Sequence, residues 1–360
     1  MNQHYRLLRS VIPLIAFMFL TSIACSIDSS IMSTPGASNQ ASSNEAGSTR
    51  KNPIPLNTLI SIPGWDIKVL EFLRGEDALN VVNTPGWQAD PLPQGKEYAL
   101  AKIFLQSTSL EDGYQSLGIS EMTITGSHNL TYGDTMDSWP QPEFLFEDIF
   151  TAEAVEGWID AVIPTDEQDL MMVVDVLKDG IRYTRYFALE NGASISLPAE
   201  FSNIRPNELG VTSSDPAGPG QNVITPAWEV TLLNSIQGQE AETILEKDNP
   251  YYSPPAAGFE YLLLQVSLRY INQEDLPIRV GPDIFYALDE SGNQVYGDWI
   301  YLPSQSDLTW ISMKILPGAE IEGWVAINIP AGTEQPVIVF NPDNAYPGEN
   351  DQNLRYLAIK

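Results

Sequence analysis

Residues 259–271 read FEYLLLQVSLRYI, and apolar side chains occupy every second position from Leu262 to Tyr270. A period of two is typical of a β-strand with one face in a core. Shorter apolar runs follow, separated by turn sequences such as 289–293 (DESGN) and Pro317-Gly318. No stretch keeps a helical period over three turns. The sequence therefore predicts an all-β domain, an antiparallel immunoglobulin-like β-sandwich of about seven strands.

The same features occur once more, earlier in the chain. Trp65-Asp66-Ile67 matches Trp228-Glu229-Val230 at an offset of 163 residues, and 95–98 (GKEY) matches 258–261 (GFEY) at the same offset. Further matches keep the same order, with offsets that grow only to 170: 132–134 with 296–298, 156–158 with 322–324, 163–164 with 329–330, and 185–189 with 355–359. This order predicts two tandem copies of one domain.

Composition divides the chain into five segments. Residues 26–56 are rich in Ser, Ala, Asn and Gly without an apolar period, which predicts a flexible tether. Pro and Gly cluster between 203 and 226, which predicts a boundary. The expected segments are a signal peptide (1–24), a lipidated N-terminus with tether (25–56), a first β-sandwich (57–199), a linker (200–224) and a second β-sandwich (225–360).

The N-terminus predicts export. Arg6 and Arg9 precede an apolar run, 11–24, that would rise only about 21 Å as a helix, short of the ~30 Å hydrocarbon core. The run ends in Ser22-Ile23-Ala24-Cys25, which resembles the lipobox of bacterial lipoproteins, in which the Cys is diacylated. The sequence thus predicts an extracytoplasmic protein anchored to the cell membrane by lipid on Cys25. Ordinary signal cleavage, which would release a secreted protein, stays open as the alternative.

Several motifs resemble one known family. They are Trp-Glu-Val from Trp228, Gly-x-Glu-Tyr from Gly258, the hairpin sequence of 289–296 and Leu-Pro-Gly-(x)4-Gly-Trp-(x)5-Pro from Leu316. The chain resembles an uncharacterised family of secreted bacterial domains, often lipoproteins, related to a mycobacterial immunogenic immunoglobulin-like protein. The resemblance covers 228–360 well and 65–189 more loosely. It implies a fold and a location, and it carries over no active site.

Charge and cysteine content exclude several classes of partner. The 47 Asp and Glu outnumber the 18 Lys and Arg, for a net charge of -29, and phosphate backbones are bound by cations. Nucleic acid is therefore not an expected partner. One Cys permits neither an intrachain disulfide nor a Cys-based zinc site. The acidic segments 143–148, 166–169 and 283–298 could supply oxygen ligands for calcium, which stays open, but they lack the spacing of a calcium loop. A solvated acidic surface is the favoured interpretation, and neither metal nor cofactor is predicted.

Catalytic groups are scarce in this sequence. Once the signal is cleaved, His128 is the only imidazole, and it lies in the turn-like sequence 126–129 (GSHN). A solvated turn histidine is the favoured interpretation, and a non-enzymatic protein is the prediction. A two-carboxylate glycoside hydrolase is kept as the third and least favoured possibility.

Aromatic residues suggest where a ligand could bind. Trp65, Trp158, Trp228 and Trp324 occur in both copies, which indicates packing. The aromatics without a counterpart are the candidate ligand-binding residues: Trp87, Trp139, Tyr251, Tyr252, Trp299 and Trp310. The leading hypothesis is a protein-binding or structural module at the bacterial surface, with another surface protein as partner. The alternative is carbohydrate or cell-wall binding through these aromatics.

Overall fold

A computed structural model describes residues 46–83, 88–89, 91–109, 114–115, 117, 121–133, 149–150, 153–248, 252–288, 292, 294–295, 313–343 and 352–360. Residues 41–360 belong to one compact unit. This unit contains two β-sandwiches, called here the N-terminal and the C-terminal sandwich.

The N-terminal sandwich consists of antiparallel sheets and one short helix. Its elements are β1 (Ile60–Ile62), β2 (Trp65–Arg74), α1 (Gly75–Val82), β3 (Lys96–Ser107), β4 (Tyr114–Gln115), β5 (Met122–Thr125), β6 (Thr131–Tyr132), β7 (Ile149–Phe150), β8 (Ala154–Pro164), β9 (Met171–Lys178) and β10 (Ile181–Ala188). One sheet has the order β1-β2-β3-β8, the facing sheet has the order β10-β9-β5-β6, and β4 pairs with β7. A 3-10 helix, Ala199–Asn203, follows this sandwich.

The C-terminal sandwich has the same order of elements along the chain. They are β11 (Val223–Ile224), β12 (Trp228–Gln237), α2 (Gln239–Asp248), β13 (Phe259–Tyr270), β14 (Ile278–Val280), a 3-10 helix (Pro282–Ile284), β15 (Phe285–Leu288), β16 (Gln294–Val295), β17 (Met313–Ile315), β18 (Glu320–Pro330), β19 (Val337–Phe340) and β20 (Arg355–Ala358). Its sheets have the orders β11-β12-β13-β18 and β16-β15-β19-β20, and β14 pairs with β17.

Both halves have the strand arrangement of an immunoglobulin-like sandwich. In the C-terminal half β12, β13 and β18 take the places of strands A, B and E, whereas β15, β19 and β20 take those of C, F and G. The register irregularity between Val69 and Glu71 recurs between Leu232 and Asn234. The prediction of an all-β protein with two antiparallel sandwiches is confirmed.

Each sandwich has its own core between its two sheets. Ile67, Ala101 and Ile103 of one sheet meet Ile124 and Val174 of the other in the N-terminal core. In the C-terminal core Trp228 is fully buried, with its ring centroid 4.7 Å from that of Tyr270 and 5.8 Å from that of Phe340. Trp65 is also buried, so the predicted packing role of this repeated tryptophan is confirmed in both halves.

The helices cover the outer faces of β3 and β13. Ala78 and Val82 of α1 pack with Tyr98, Leu100 and Trp158. The equivalent cluster of α2 contains Ala241, Leu245, Tyr261 and Leu263, with Trp324 beside it. Each helix is shorter than three turns, which explains why the sequence carries no sustained helical period.

The end of the predicted tether belongs to the folded N-terminal sandwich. Ile54 is buried and forms a parallel bridge with Phe187 at the β10 edge of its sheet. The Tyr186 amide donates to the Gly47 carbonyl at 2.8 Å, and the Ile54 amide donates to the Tyr186 carbonyl at 2.8 Å. Residues 46–56 therefore differ from the flexible segment expected from the sequence, because their backbone groups complete the edge of a sheet.

The predicted linker contains the matching segment of the C-terminal sandwich. The Tyr356 amide donates to the Gly210 carbonyl at 2.7 Å, and Ala217 forms a parallel bridge with Leu357. Gly47 and Gly210 are 163 residues apart, as are Ile54 and Ala217. From Gly210 onward this segment forms an edge of the C-terminal sandwich, whereas the sequence predicted a linker there.

We expect the Gly210→Ala substitution to lower the free energy of unfolding by about 2 kcal/mol, since φ is +64° and an added Cβ would lie 2.3 Å from the Tyr356 carbonyl oxygen. Gly180→Ala is the matched control, because φ is +75° there and no atom lies within 4 Å of the added Cβ. The control should lose only about 1 kcal/mol. Urea denaturation measures both, and equal losses would contradict the close approach at Gly210.

Candidate functional site

The two sandwiches meet around a buried arginine, Arg50, which the sequence places in the tether. Its side chain is 0% exposed, and its Nε donates to Asp275 Oδ1 at 2.7 Å. The Arg50 backbone amide donates to Oδ2 of the same carboxylate at 2.7 Å. Nη1 donates to Asn129 Oδ1 at 2.6 Å, and Nη2 donates to the Pro317 carbonyl at 2.8 Å. We call Arg50, Asn129, Asp275 and Pro317 the junction, since one guanidinium there joins both sandwiches.

Backbone pairing and apolar packing extend this contact. The Leu316 amide donates to the Asn129 carbonyl at 2.8 Å, and Leu130 forms an antiparallel bridge with Ile315. The Leu316 side chain is fully buried among residues of the N-terminal sandwich, namely Met171, Val173, Tyr186 and Ala193. Strand-like pairing therefore continues from one sandwich into the other.

Two further side chains of the N-terminal sandwich donate to C-terminal carbonyls. The Tyr186 hydroxyl donates to the Asp275 carbonyl at 2.6 Å, and Arg182 Nη2 donates to the Pro277 carbonyl at 2.5 Å. Burial, with a further contribution from Asp275, raises the pKa of Tyr186, so this hydroxyl keeps its proton and acts as a donor. Arg182 is held in place by Asp175, whose Oδ1 accepts from Nε at 2.6 Å.

A second polar cluster lies next to the junction, around the buried carboxylate of Glu167. Oε1 accepts from the His128 amide at 2.8 Å and from Ser127 Oγ at 3.1 Å. Oε2 accepts from the Tyr132 hydroxyl and lies 2.9 Å from His128 Nδ1. Gly126 makes this approach possible, because a Cβ there would lie 2.5 Å from Oε1. Burial, with the bond to Glu167, raises the pKa of Tyr132 and keeps its hydroxyl protonated.

The Glu167 cluster differs in order from a Ser-His-acid triad. In such a triad the imidazole lies between the hydroxyl and the carboxylate. Here the carboxylate lies between Ser127 and His128, and the imidazole is 43% exposed, with Nε2 3.9 Å from Asp166 Oδ2. The cluster holds the turn at 126–129 closed, and this turn presents Asn129 to Arg50.

The Gly-x-Glu-Tyr motif fixes the start of each helix. Glu97 Oε1 accepts from Arg74 Nε at 2.7 Å, and a Cβ on Gly75 would lie 3.0 Å from Oε2. In the other half Glu260 Oε1 accepts from Gln237 Nε2 at 3.0 Å in the same position. The motif is therefore a structural element, since its carboxylate packs against the turn where the helix begins.

A cavity of about 500 Å³ opens beside α1 in the N-terminal sandwich. Its wall includes Leu79 of the helix, which is 36% exposed, and Tyr98 of β3. Apolar and polar groups both line it: Ala89, Pro91 and Leu92, together with Glu76, Asn83, Gln88, Lys96 and Glu97. A mostly pre-formed concave site of this size is typical of small-molecule binding.

Of the candidate residues chosen from the sequence, the structure describes one, Tyr252. Cys25, Trp87, Trp139, Tyr251, Trp299 and Trp310 lie outside the described residues. Tyr252 is described, and it packs beside the α2 cluster with its ring centroid 6.2 Å from that of Tyr261. Tyr252 is half-buried, so one side of its ring packs internally, and its role as a ligand-binding aromatic stays a prediction.

Arg50 is the site residue that the sequence reasoning missed. A signal for it exists, since Gly47-x-Thr49 and Pro53 recur as Gly210-x-Thr212 and Pro216 at the offset of 163. Extending the repeat in this way would have placed Arg50 inside the first sandwich rather than before it. Nothing in the repeat predicts Asp275 as its partner.

Within the described ranges, no three His, Cys, Asp or Glu side chains are grouped as a metal site would need. Among the same residues, no helix has the length and apolar character required to cross a bilayer. The acidic segment 143–148 lies outside them.

Comparisons with known proteins give two structural similarities. A "putative lipoprotein" of Bacillus subtilis aligns over 39% of this chain and 38% of its own, with 13% identity and a TM-score of 0.28. An uncharacterised β-sandwich protein of Clostridium difficile aligns over 39% of this chain and 96% of its own, with 17% identity and a TM-score of 0.23. The aligned part thus spans about two fifths of the Bacillus protein.

No family model and no curated protein matches the chain. The class of the protein, two antiparallel immunoglobulin-like β-sandwiches in one compact unit, accordingly rests on its own sheet topology.

Proposed function

We propose that the chain is a lipid-anchored, non-enzymatic module at the bacterial cell surface, which binds another surface protein or has a structural role. The observation that carries the proposal is Cys25, which directly follows the apolar run and the small residue Ala24. The junction gives a second, independent argument for the proposal. Because the buried Arg50 guanidinium bonds to residues of both sandwiches, we infer that a partner would meet the two domains together.

The arrangement of polar groups favours a scaffold over a catalyst. The ionisable clusters around Arg50 and Glu167 are occupied by internal hydrogen bonds that join chain segments distant in sequence. Ionisable groups bonded in this way stabilise the fold, whereas a catalytic acid or base must be able to reach a proton of the substrate. We further infer that the two sandwiches are copies of one duplicated unit, which begins at Gly47 and Gly210.

Expression of the full chain in a bacterial host tests the anchor. We expect a mature N-terminus at Cys25 that carries diacylglycerol, detected by mass spectrometry of the membrane fraction, because the thiol is the acceptor in lipoproteins. Cys25→Ser should move the protein out of the membrane fraction or leave it unprocessed, and Ser26→Ala serves as the matched control that stays lipidated. An unmodified soluble product that starts at Cys25 would contradict the anchor.

A further inference from the structure

Ala89, in the wall of the cavity beside α1, stands where the C-terminal sandwich has Tyr252. The two residues are 163 positions apart, the same offset as that of the flanking strands β2 with β12 and β3 with β13. Ala89 contacts the cluster that contains Tyr98, and Tyr252 contacts the equivalent cluster that contains Tyr261. One half of the molecule therefore fills with its own ring a place that is open in the other half.

Tyr252 indicates which chemical group such a site accepts. Its ring lies 6.2 Å from that of Tyr261, centroid to centroid, with an angle of 56° between the planes. This geometry lies within the favourable range for aromatic pairs. Tyr98 lines the cavity of the N-terminal sandwich and takes the place of Tyr261, so a ring that enters there meets a tyrosine in the equivalent position.

The helix positions around the cavity differ between the halves in a way that favours an apolar ligand. Leu79 of α1 stands where α2 has Glu242, and Asn83 stands where the C-terminal half has Glu246. In the C-terminal half desolvation, with contributions from Glu242 and Glu246, raises the pKa of Tyr252. The N-terminal site lacks both of these carboxylates and gains an apolar wall in Leu79, which is exposed to the cavity.

We propose that this cavity binds a small molecule that carries a phenol-type ring, packed against Tyr98 as Tyr252 packs against Tyr261. Leu79, Ala89 and Leu92 enclose the ring, and Asn83, Lys96 and Glu97 supply hydrogen-bond partners for its polar substituents. The inference goes beyond the proposed function and is independent of the lipid anchor.

Saturation-transfer NMR and calorimetric titration with p-cresol test the proposal on residues 26–360, which leave out the predicted signal and Cys25. We expect binding to the wild type and at least a tenfold loss of affinity in Ala89→Tyr, since each tenfold corresponds to ~1.4 kcal/mol of lost contact. Leu177→Tyr is the matched control, because it adds the same side chain at a strand position that is 72% exposed. Tyr252→Ala combined with Glu242→Leu and Glu246→Asn, which copies the N-terminal site, should open a second site and raise the stoichiometry from one to two.

The proposal is overturned if p-cresol does not bind, or if Ala89→Tyr and Leu177→Tyr weaken binding equally. Equal affinity for cyclohexanol would show that the site does not select an aromatic ring. Binding only after Trp87→Ala would mean that the chain's own indole occupies the cavity. If N-acetyltyrosinamide binds more tightly than p-cresol, the ligand is the tyrosine side chain of a peptide and not a small molecule. If Ala89→Tyr does not fold, Leu79→Glu, which copies the helix of the C-terminal half, gives the same test.

Discussion

The Arg50→Met substitution is expected to lower the free energy of unfolding by about 3–5 kcal/mol, the usual cost of removing one partner of a buried ion pair. Met keeps an unbranched apolar stem but leaves the Asp275 carboxylate, only 6% exposed, without its guanidinium. Asn129 Oδ1 and the Pro317 carbonyl lose their donor as well. Urea denaturation followed by fluorescence measures the loss, and we expect one cooperative transition to become two as the sandwiches uncouple.

Two variants make the Arg50 result specific. Lys51→Met removes a cation at the adjacent exposed position and should change stability by at most about 0.5 kcal/mol. Arg50→Met with Asp275→Leu should recover much of the loss, because replacing both ions of a buried pair by apolar groups is often close to neutral. A single transition of unchanged midpoint in Arg50→Met would show that the junction does not couple the sandwiches.

The Glu167→Gln substitution is expected to cost about 3 kcal/mol, although the side chain keeps its shape. Both carboxylate oxygens receive donors, Oε1 from the His128 amide and Ser127, and Oε2 from Tyr132. An amide has one oxygen and one NH2 group, so one of the two positions loses its acceptor in a buried site. Turned toward the His128 amide, the NH2 group meets a donor, and turned toward Tyr132 it ends the bond from that hydroxyl to a carboxylate. Thermal and urea unfolding measure the cost, and hydrogen exchange of the amides at 126–129 should rise.

Asp166→Asn is the control for Glu167→Gln. It alters the neighbouring carboxylate, which is 77% exposed, and should stay within about 0.5 kcal/mol of the wild type. Because Asn129 belongs both to the 126–129 turn and to the junction, Glu167→Gln combined with Arg50→Met should be non-additive by about 1 kcal/mol. Additive losses would mean that the turn and the junction are independent.

The fold could be predicted from the sequence because its signals are local. The period of two in β13 and the turn sequences beside it mark strands that are buried on one face. The offset of 163 predicts that β2 corresponds to β12 and β3 to β13, without knowledge of how the strands pair. The predicted ends of the domains are wrong, since residues 46–56 have the composition of a tether, and the groups that order them, such as the backbone of β10 and the partners of Arg50, lie far away in the chain.

The polar sites could not be predicted, because their partners are far apart in the chain. Arg50 and Asp275 are separated by 225 residues, and neither lies in a motif that predicts an ion pair. His128 was correctly placed in a turn, but Glu167, its buried partner, was counted only as part of an acidic segment. The cavity depends on a residue that is small, Ala89, and a missing side chain leaves no positive signal in a single sequence.

The position of Arg50 sets the path that a mechanical force takes through the molecule. Without the junction, tension applied at the N-terminus would reach the C-terminal sandwich only after crossing the N-terminal one, with the domains loaded in series. Arg50 lies near the start of the described residues and is bonded directly to Asp275 and to the Pro317 carbonyl. If a partner is bound by the C-terminal sandwich, we expect a pull between Arg50 and that partner to pass through these bonds directly, so that the N-terminal sandwich is not loaded in series.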